Sequence, residues 1–296
     1  MKKRVFMAAL AAALSLSLLA GCGQSSPSQA ASGSQPQAAS GSQSQSSTGS
    51  GSQSEAPANL LTQIQEKGEI IVAMEGTWAP WTYHDENDQL VGYDVEVAQA
   101  IAGKLGVKVS FVEGEFDGLL AGLEVGRYDL MVNGVDITPD RAEKYNFSTP
   151  YAYNRTAVIV RGDNGEIQAM EDLEGKHTAN TITSTYAAVA EKYGAEVTGV
   201  DDLNQTFELL FSGRIDATLN AEVSYYDYMK AHPDADIKIA CLDPETTQVA
   251  IPVRKGEDTA SLLEAVNAAL AELAGDGTLT GLSNKYFGGD ISQDQN

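Results

Sequence analysis

From about residue 60 onward, apolar positions switch repeatedly between a β-like run and a helical period. Residues 70–74 form a short apolar run that predicts a strand. Val95, Ala98, Ile101, Ala102 and Leu105 then recur at helical spacing, with Gly106 placed for a C-terminal cap. Residues 108–112 read as the next strand, Leu119, Leu120 and Leu123 as a helix closed by Gly126, and residues 130–132 as a buried strand. After Gly165 strands are expected at 178–181, 196–200, 217–219 and 237–241, with helices around 186–193, 204–211 and 223–230. Residues 248–253 follow as a strand. Leu262, Leu263, Val266, Leu270 and Leu273 then form a helix face ending at Gly275, and a short helix carries Leu279, Leu282 and Tyr286. Strand and helix in alternation predict an α/β fold with mostly parallel sheets.

One internal echo suggests two similar halves. Gly126-Arg127-Tyr128-Asp129 leads through three residues to Asn133, and Gly213-Arg214-Ile215-Asp216 leads through three residues to Asn220. A recurrent helix-Gly-strand turn would produce the same echo. The sharper reading puts each Asn at the carboxyl end of its strand, where open α/β sheets bind ligands. Two such sheets facing one another would enclose a cleft. If the chain leaves the first lobe near 151–155 and returns near 247–251, two adjacent strands link the lobes as a hinge. The expected division is 59–152 plus 250–290 for lobe 1, 153–249 for lobe 2 and 291–296 as a tail.

The N-terminus follows a different pattern. Lys2, Lys3 and Arg4 precede an apolar run of 15 residues from Val5 to Leu19, and small residues lead to Cys22. The run is shorter than the ~20 residues that cross a bilayer as a helix, and its flanks are those of a secretory signal, expected at 1–21. Leu19-Ala20-Gly21-Cys22 resembles a bacterial lipobox, which implies cleavage before Cys22 and lipidation of its thiol. Residues 22–58 then form a tether. Its 36 residues after Cys22 are mostly Ser, Gln, Gly, Ala and Pro with Glu55 as the sole charge, too little to bury against the entropy of ordering. Such a chain reaches roughly 30–36 Å r.m.s.. The expected location is extracytoplasmic, anchored to the cell membrane through Cys22.

Charge narrows the partners. The 41 acidic residues outnumber 19 basic ones for a net −22, so the protein will repel nucleic acid and anionic lipid. Beyond Cys22 the only cysteine is Cys241, which leaves no intrachain disulfide to stabilise the folded part.

No catalytic constellation stands out. His84, His177 and His232 are scattered, without a second His or Cys at metal-ligand spacing, and no metal or cofactor is expected. There is no G-x-S-x-G elbow and no phosphate loop ending in Gly-Lys-Ser/Thr. Three stretches suit recognition instead. Residues 75–83 carry Glu75, both tryptophans (Trp78 and Trp81) and Tyr83 in a Pro-containing loop after a strand. Such rings make flat apolar walls at low entropic cost, although one or two could plug the core instead. Residues 133–141 offer Asn133, then Gly134 for close backbone approach, the Asp136 carboxylate and the Arg141 guanidinium. A free amino acid needs such groups, a fork of donors for its carboxylate and an acceptor for its ammonium. Arg141 could equally pair with Glu143 or Asp140 on a solvated helix face. Residues 181–186 bring Thr181, Ser184, Thr185 and Tyr186 to a helix N-terminus, suited to an anionic group or to simple N-capping.

Four further stretches are Gly92-Tyr93-Asp94-Val95-Glu96-Val97, Asp136-Ile137-Thr138-Pro139-Asp140-Arg141, Phe147-Ser148-Thr149-Pro150-Tyr151 and the closing Gly277-Thr278-Leu279 to Lys285-Tyr286-Phe287-Gly288. Through them, residues from about 68 to 288 resemble the extracellular amino-acid-binding proteins of ABC importers, solute-binding family 3. It implies a two-lobed, type II periplasmic-binding-protein fold with a two-strand hinge and a ligand in the cleft. It also implies that Arg141 clamps the ligand α-carboxylate, helped by amides near Gly134 and Thr185, with the rings of Trp78 and Phe116 flanking the ligand side chain. Many relatives carry an Asp for the ligand ammonium at the position of Ala221 and a Ser or Thr at that of Asp136. Here the carboxylate is missing from the former and present at the latter. Asp136 is therefore expected to hold the ammonium, with Glu222 and Glu75 as further candidates. The implied function is capture of a polar amino acid, cystine first, by a monomeric receptor that delivers it to an ABC permease. The rivals are a dehydratase-type enzyme on the same fold, with Glu222 as general acid, and a ligand sensor for a membrane signalling partner.

Overall fold

The computed structural model describes residues 59–294. The expected signal peptide, Cys22 and the tether lie outside the described residues, and among those described no helix is long and apolar enough to cross a membrane.

Helix α1 (Leu60–Lys67) leads into β1 (Glu69–Met74), and a small antiparallel meander follows: β2 (Thr77–Trp78), β3 (Thr82–His84) and β4 (Leu90–Val91). Next come α2 (Tyr93–Leu105), β5 (Lys108–Glu113), α3 (Phe116–Glu124), β6 (Leu130–Met131), α4 (Pro139–Lys144) and β7 (Tyr145–Phe147). The first sheet, ordered β5-β1-β6, is parallel throughout, with Glu69 opposite Lys108 and Val72 opposite Leu130. Its central strand shows why a period of two matters. Ile70, Val72 and Met74 join the core beneath α2, while Ile71 and Ala73 meet Phe116, Leu119 and Leu123 of α3 on the other face.

The second sheet is built from β8 (Ala152–Arg161), β9 (His177–Asn180), α5 (Thr185–Lys192), β10 (Glu196–Gly199), α6 (Leu203–Phe211), β11 (Ala217–Ala221), α7 (Glu222–Ala231) and β12 (Ile237–Val249). Its order is β10-β9-β11-β8-β12. It is parallel across β10, β9 and β11, but β8 runs antiparallel to both of its neighbours, so this sheet is mixed. The sequence pattern anticipated β8 only as a link near 151–155. It is in fact a ten-residue strand whose inner positions are buried, and its antiparallel entry, with no helix before it, falls outside the strand–helix rhythm. The expected strands at 237–241 and 248–253 are divided differently. Residues 237–249 form one strand with two register shifts, and β13 (Pro252–Arg254) pairs with β7. The break at Ala250–Ile251 is where the chain changes sheets, with Ala250 N–H donating to Val135 O and Ser148 N–H to Ile251 O. Helices α8 (Ala260–Gly275) and α9 (Thr278–Phe287) then pack on α2.

Two connections between the sheets lie side by side. Ala152 to Arg155 pair with Val249 to Thr246, and Asp136 bridges to Val249 beside them.

The echo has a common wiring. Gly126 and Gly213 both adopt left-handed backbone, with φ of 71° and 68°. Asp129 accepts the Ile71 amide at 2.8 Å, and Asp216 accepts the His177 amide at 2.9 Å. Each Asp thereby ties the foot of its strand to the strand alongside; of the two echoed asparagines, Asn220 lines the cavity between the sheets, whereas Asn133 is buried against Glu75.

Candidate functional site

The wall from the first half begins where β1 ends. Trp81 is fully buried and contacts Tyr93 and Phe287, so it plugs the core. Trp78 stacks on it with centroids 5.3 Å apart and faces the cleft. Sequence left open which ring did which; the stacked pair splits the two jobs. Glu75 sits beside them, its amide donating to Asn133 Oδ1 at 2.7 Å and its carboxylate accepting from Asn133 Nδ2 at 2.6 Å. Burial raises the Glu75 pKa to about 7; the Asn133 bond opposes that shift, while Asp202 and Asp117 add to it.

Gly134 lies under Trp78 with φ of 55°, and an added Cβ would fall 2.5 Å from the indole ring. Gly134→Ala is therefore expected to cost ~1–3 kcal/mol through overpacking, with added strain from the left-handed backbone. Urea unfolding should show a lowered midpoint with an unchanged m-value; an unchanged midpoint would contradict this packing.

Arg141 projects from α4, whose first turn is set by Thr138 as N-cap and by Pro139. The residue is 9 % exposed and lines the cleft. It donates to Asp136 O and, across the cleft, to Thr183 O, both at 2.9 Å, and lies 5.4 Å from the Phe116 ring centroid. Neither Glu143 nor Asp140 takes it: its hydrogen bonds go to carbonyls, and no carboxylate of the described residues forms an ion pair with it. Burial lowers its pKa, and Asp136 opposes the shift. The Asp136 carboxylate is also buried. It accepts from the Thr247 hydroxyl at 2.6 Å and from the Thr185 hydroxyl, and burial raises its pKa against those two bonds and Arg141.

The second half supplies the facing wall. Ser184 caps α5, its Oγ accepting from Ala187 N at 3.1 Å, so this hydroxyl has the simple structural role. Thr181, Thr185 and Tyr186 line the cleft with it. The Tyr186 hydroxyl accepts from Asn154 at 2.9 Å, and its ring meets Trp78 edge-on. Asn220 Oδ1 accepts from Trp78 Nε1 at 3.0 Å, a second bond across the cleft. The cavity these residues line measures ≈ 50 Å³ and opens to solvent at its mouth.

Two expected site residues do not line it. Glu222 lies outside, where its carboxylate pairs with Arg155 at 2.7 Å and accepts from Tyr226; the Arg155 charge draws it away from the cleft. Asn133 is fully buried behind Glu75, because its amide is consumed by Glu75. The Gly134 amide, expected to face a ligand, acts on the buried Asp94 carboxylate instead. Conversely, Asn180, Asp202, Leu203 and Thr206 line the cavity and were not anticipated. Asp202 was legible as a helix N-cap, a role it fills by accepting from Gln205 N at 3.0 Å, but nothing in its local pattern places that cap at a cleft. Among the described residues no group of side chains could hold a metal ion.

This cleft between two α/β sheets, floored by a buried arginine, has counterparts. The chain belongs to the bacterial extracellular solute-binding proteins, family 3, whose model matches residues 70–289. It is 39 % identical over 236 residues to the L-cystine-binding protein TcyA of Bacillus subtilis (strain 168), covering 79 % of this chain and 87 % of that one. It is 34 % identical over 241 residues to the L-cystine-binding protein TcyJ of Escherichia coli (strain K12), covering 80 % and 90 %. Among solved structures, an ancestral arginine-binding protein bound to arginine matches with a TM-score of 0.70 at 37 % identity, over 74 % of this chain and 98 % of that one. The L-cystine solute receptor of Neisseria gonorrhoeae, unliganded and open, matches with a TM-score of 0.53 at 40 % identity, over 80 % and 100 %. The fold is the two-lobed type II periplasmic-binding-protein fold.

Proposed function

We propose that this chain captures a polar amino acid, cystine first, outside the cytoplasm and presents it to the permease of an ABC importer. The observation that carries this reading is Arg141, a buried guanidinium aimed into a cavity and bonded to carbonyls rather than to a carboxylate. A buried cation whose nearest carboxylate, Asp136, acts on it only from beyond ion-pair contact is incompletely balanced, and a ligand carboxylate would complete the balance with a forked pair of bonds. In the same reading Asp136 takes the α-ammonium through the lone pairs that Thr185 and Thr247 leave free. Glu75 and Asp202, entering from opposite walls, then suit a second, distal ammonium. Cystine carries two amino-acid ends, and two curated relatives are cystine-binding proteins.

Residues 59–152 with 250–290 and residues 153–249 serve as the two lobes in this reading, with the paired stretches Ala152–Arg155 and Thr246–Val249 as hinge. The bonds from Trp78 to Asn220 and from Arg141 to Thr183 hold the lobes together. The likeness is greater to an arginine-bound structure than to an open one of higher identity, which also favours a closed arrangement. A monomer anchored through lipid at Cys22 completes the proposal and rests on sequence alone.

A thermal-shift screen of free amino acids tests it. A ligand present at 100 times its dissociation constant adds ~2.7 kcal/mol to the folded state; a screen in which no amino acid raises the melting temperature would overturn the reading. Asp136→Asn keeps the side-chain shape but loses the charge. It should weaken the preferred ligand by ~1.5–3 kcal/mol in calorimetry, and unchanged affinity would remove Asp136 from the ammonium contact. Glu222, the acid of the dehydratase alternative, pairs with Arg155 and does not line the cavity. The same fold does occur in an ancestral amino-acid-binding protein described as a precursor of cyclohexadienyl dehydratase. Recovery of unaltered ligand after incubation discriminates between the two.

A further inference from the structure

The asparagine that ends each echoed strand bonds to the same short wall, residues 75–78, but from opposite sides. Asn133 stays within its own half. It accepts the Glu75 amide at 2.7 Å, donates to the Glu75 carboxylate at 2.6 Å and receives the Thr82 hydroxyl at 3.4 Å. Asn220 reaches across, accepting Trp78 Nε1 at 3.0 Å while its Oδ1 also takes the Ala221 amide at 2.9 Å. Both are buried, Asn133 completely and Asn220 at 7 % exposure. A buried Asn can hold a rotamer only if donors and acceptors are satisfied together. Asn133 does so by gripping the backbone and the carboxylate of one residue at once, which leaves Glu75 a single orientation, into the cavity.

We propose that Asn133 is a positioning residue that aims the Glu75 carboxylate at the distal end of the ligand, while its counterpart Asn220 fixes the Trp78 ring beside it. The repeat thus supplies one clamp from each half to one subsite. This deepens the amino-acid reading and rests on it for the ligand, but not for the state of Glu75. That state depends on neighbours from several elements. Asp202 precedes α6 and Asp117 lies on α3, and both oppose ionisation of Glu75; Tyr186 on α5, Asp136 and Arg141 share the cavity. Asn133 is the hydrogen-bond donor that favours the ionised carboxylate.

The test begins without ligand. Carbon-13 carboxylate NMR of the full chain follows Glu75 ionisation in wild type, Asn133→Ala, Asn133→Ser and Asn220→Ala. The Glu75 midpoint should rise in both Asn133 variants and stay in place in Asn220→Ala. Asn133→Ser is included because its hydroxyl can still accept the Glu75 amide if Asn133→Ala does not fold. Calorimetry with cystine, lysine and glutamine follows. Asn133→Ser should weaken cystine and lysine at least tenfold and glutamine less than threefold, and adding it to Glu75→Gln should cost nothing more. An unmoved Glu75 midpoint, equal losses for all three ligands or additive losses with Glu75→Gln would overturn the positioning role and leave Asn133 as part of the core. A moved midpoint in a protein whose melting temperature no free amino acid raises would support the positioning role and overturn the amino-acid reading alone.

Discussion

Replacing Arg141 with methionine is expected to abolish useful ligand capture while leaving the ligand-free protein as stable as before, or slightly more so. The two effects have opposite signs for one physical reason. In the ligand-free cleft Arg141 is 9 % exposed and its guanidinium is bonded to the carbonyls of Asp136 and Thr183, with no carboxylate in ion-pair contact. Its desolvation is thus incompletely balanced, and a methionine of similar length keeps the packing under Phe116 without that cost. Once a ligand carboxylate enters, the balance reverses, because truncation leaves a desolvated anion unpaired at a cost of about 3–5 kcal/mol, or roughly 10²- to 10⁴-fold in affinity. Arg141→Lys should fall between, since an ammonium retains the charge but not the fork. Calorimetric titration with paired thermal scans checks both signs. A melting temperature that drops by many degrees, with affinity spared, would make Arg141 a structural residue and remove the basis of the functional reading.

Why Arg141, Asp136 and Trp78 were readable from sequence while Asp202 and Thr206 were not follows from how each is placed. The first three belong to the segments that follow the carboxyl ends of β1 and β6, and the strand pattern locates those ends. The β6 loop also carries a proline, a glycine and paired charges in a short run that has few alternative uses. Asp202 and Thr206 reach the cavity only because α6 lies against the inner face of the second sheet. That is a tertiary relation, and an N-cap followed by an apolar face reads identically at a cleft or on a distant surface. Asn133 and Glu222 show the converse limit. Their residue types suited a site and their positions were nearly right, but single partners, Glu75 and Arg155, redirected them. The strand β8 escaped for a topological reason. Its apolar run was visible, yet an antiparallel strand placed between β11 and β12 needs no preceding helix, so the α/β rhythm did not point to it.

The ligand-free protein should lose stability as pH rises from 5 to 8, and ligands with a distal ammonium should bind more tightly over that range. Glu75 and Asp94 both have folded-state pKa values of about 7, raised by burial above ordinary values of 4.5 and 3.8. A carboxyl raised in this way stabilises the fold fully below its unfolded pKa, and that contribution is lost as pH climbs through the folded one. Each tenfold gain in proton affinity on folding corresponds to about 1.4 kcal/mol, so the melting temperature should fall visibly between pH 5 and 8. Only Glu75 of this pair lines the cavity. An ammonium placed between Glu75 and Asp202 favours the ionised carboxylate, so binding draws a proton off Glu75 below pH 7 and draws none above it. Affinity for cystine or lysine should therefore improve about tenfold from pH 6 to 8, while glutamine, which has no distal charge, should show little change. Glu75→Gln should flatten that profile, cost cystine ~2–5 kcal/mol at pH 8 and remove part of the alkaline fall in stability, with the remainder belonging to Asp94. Should the pH dependence of cystine binding persist unchanged in Glu75→Gln, the titrating group is a different one. Asp136, whose carboxyl is also raised by burial, would then be the carboxylate to exchange next.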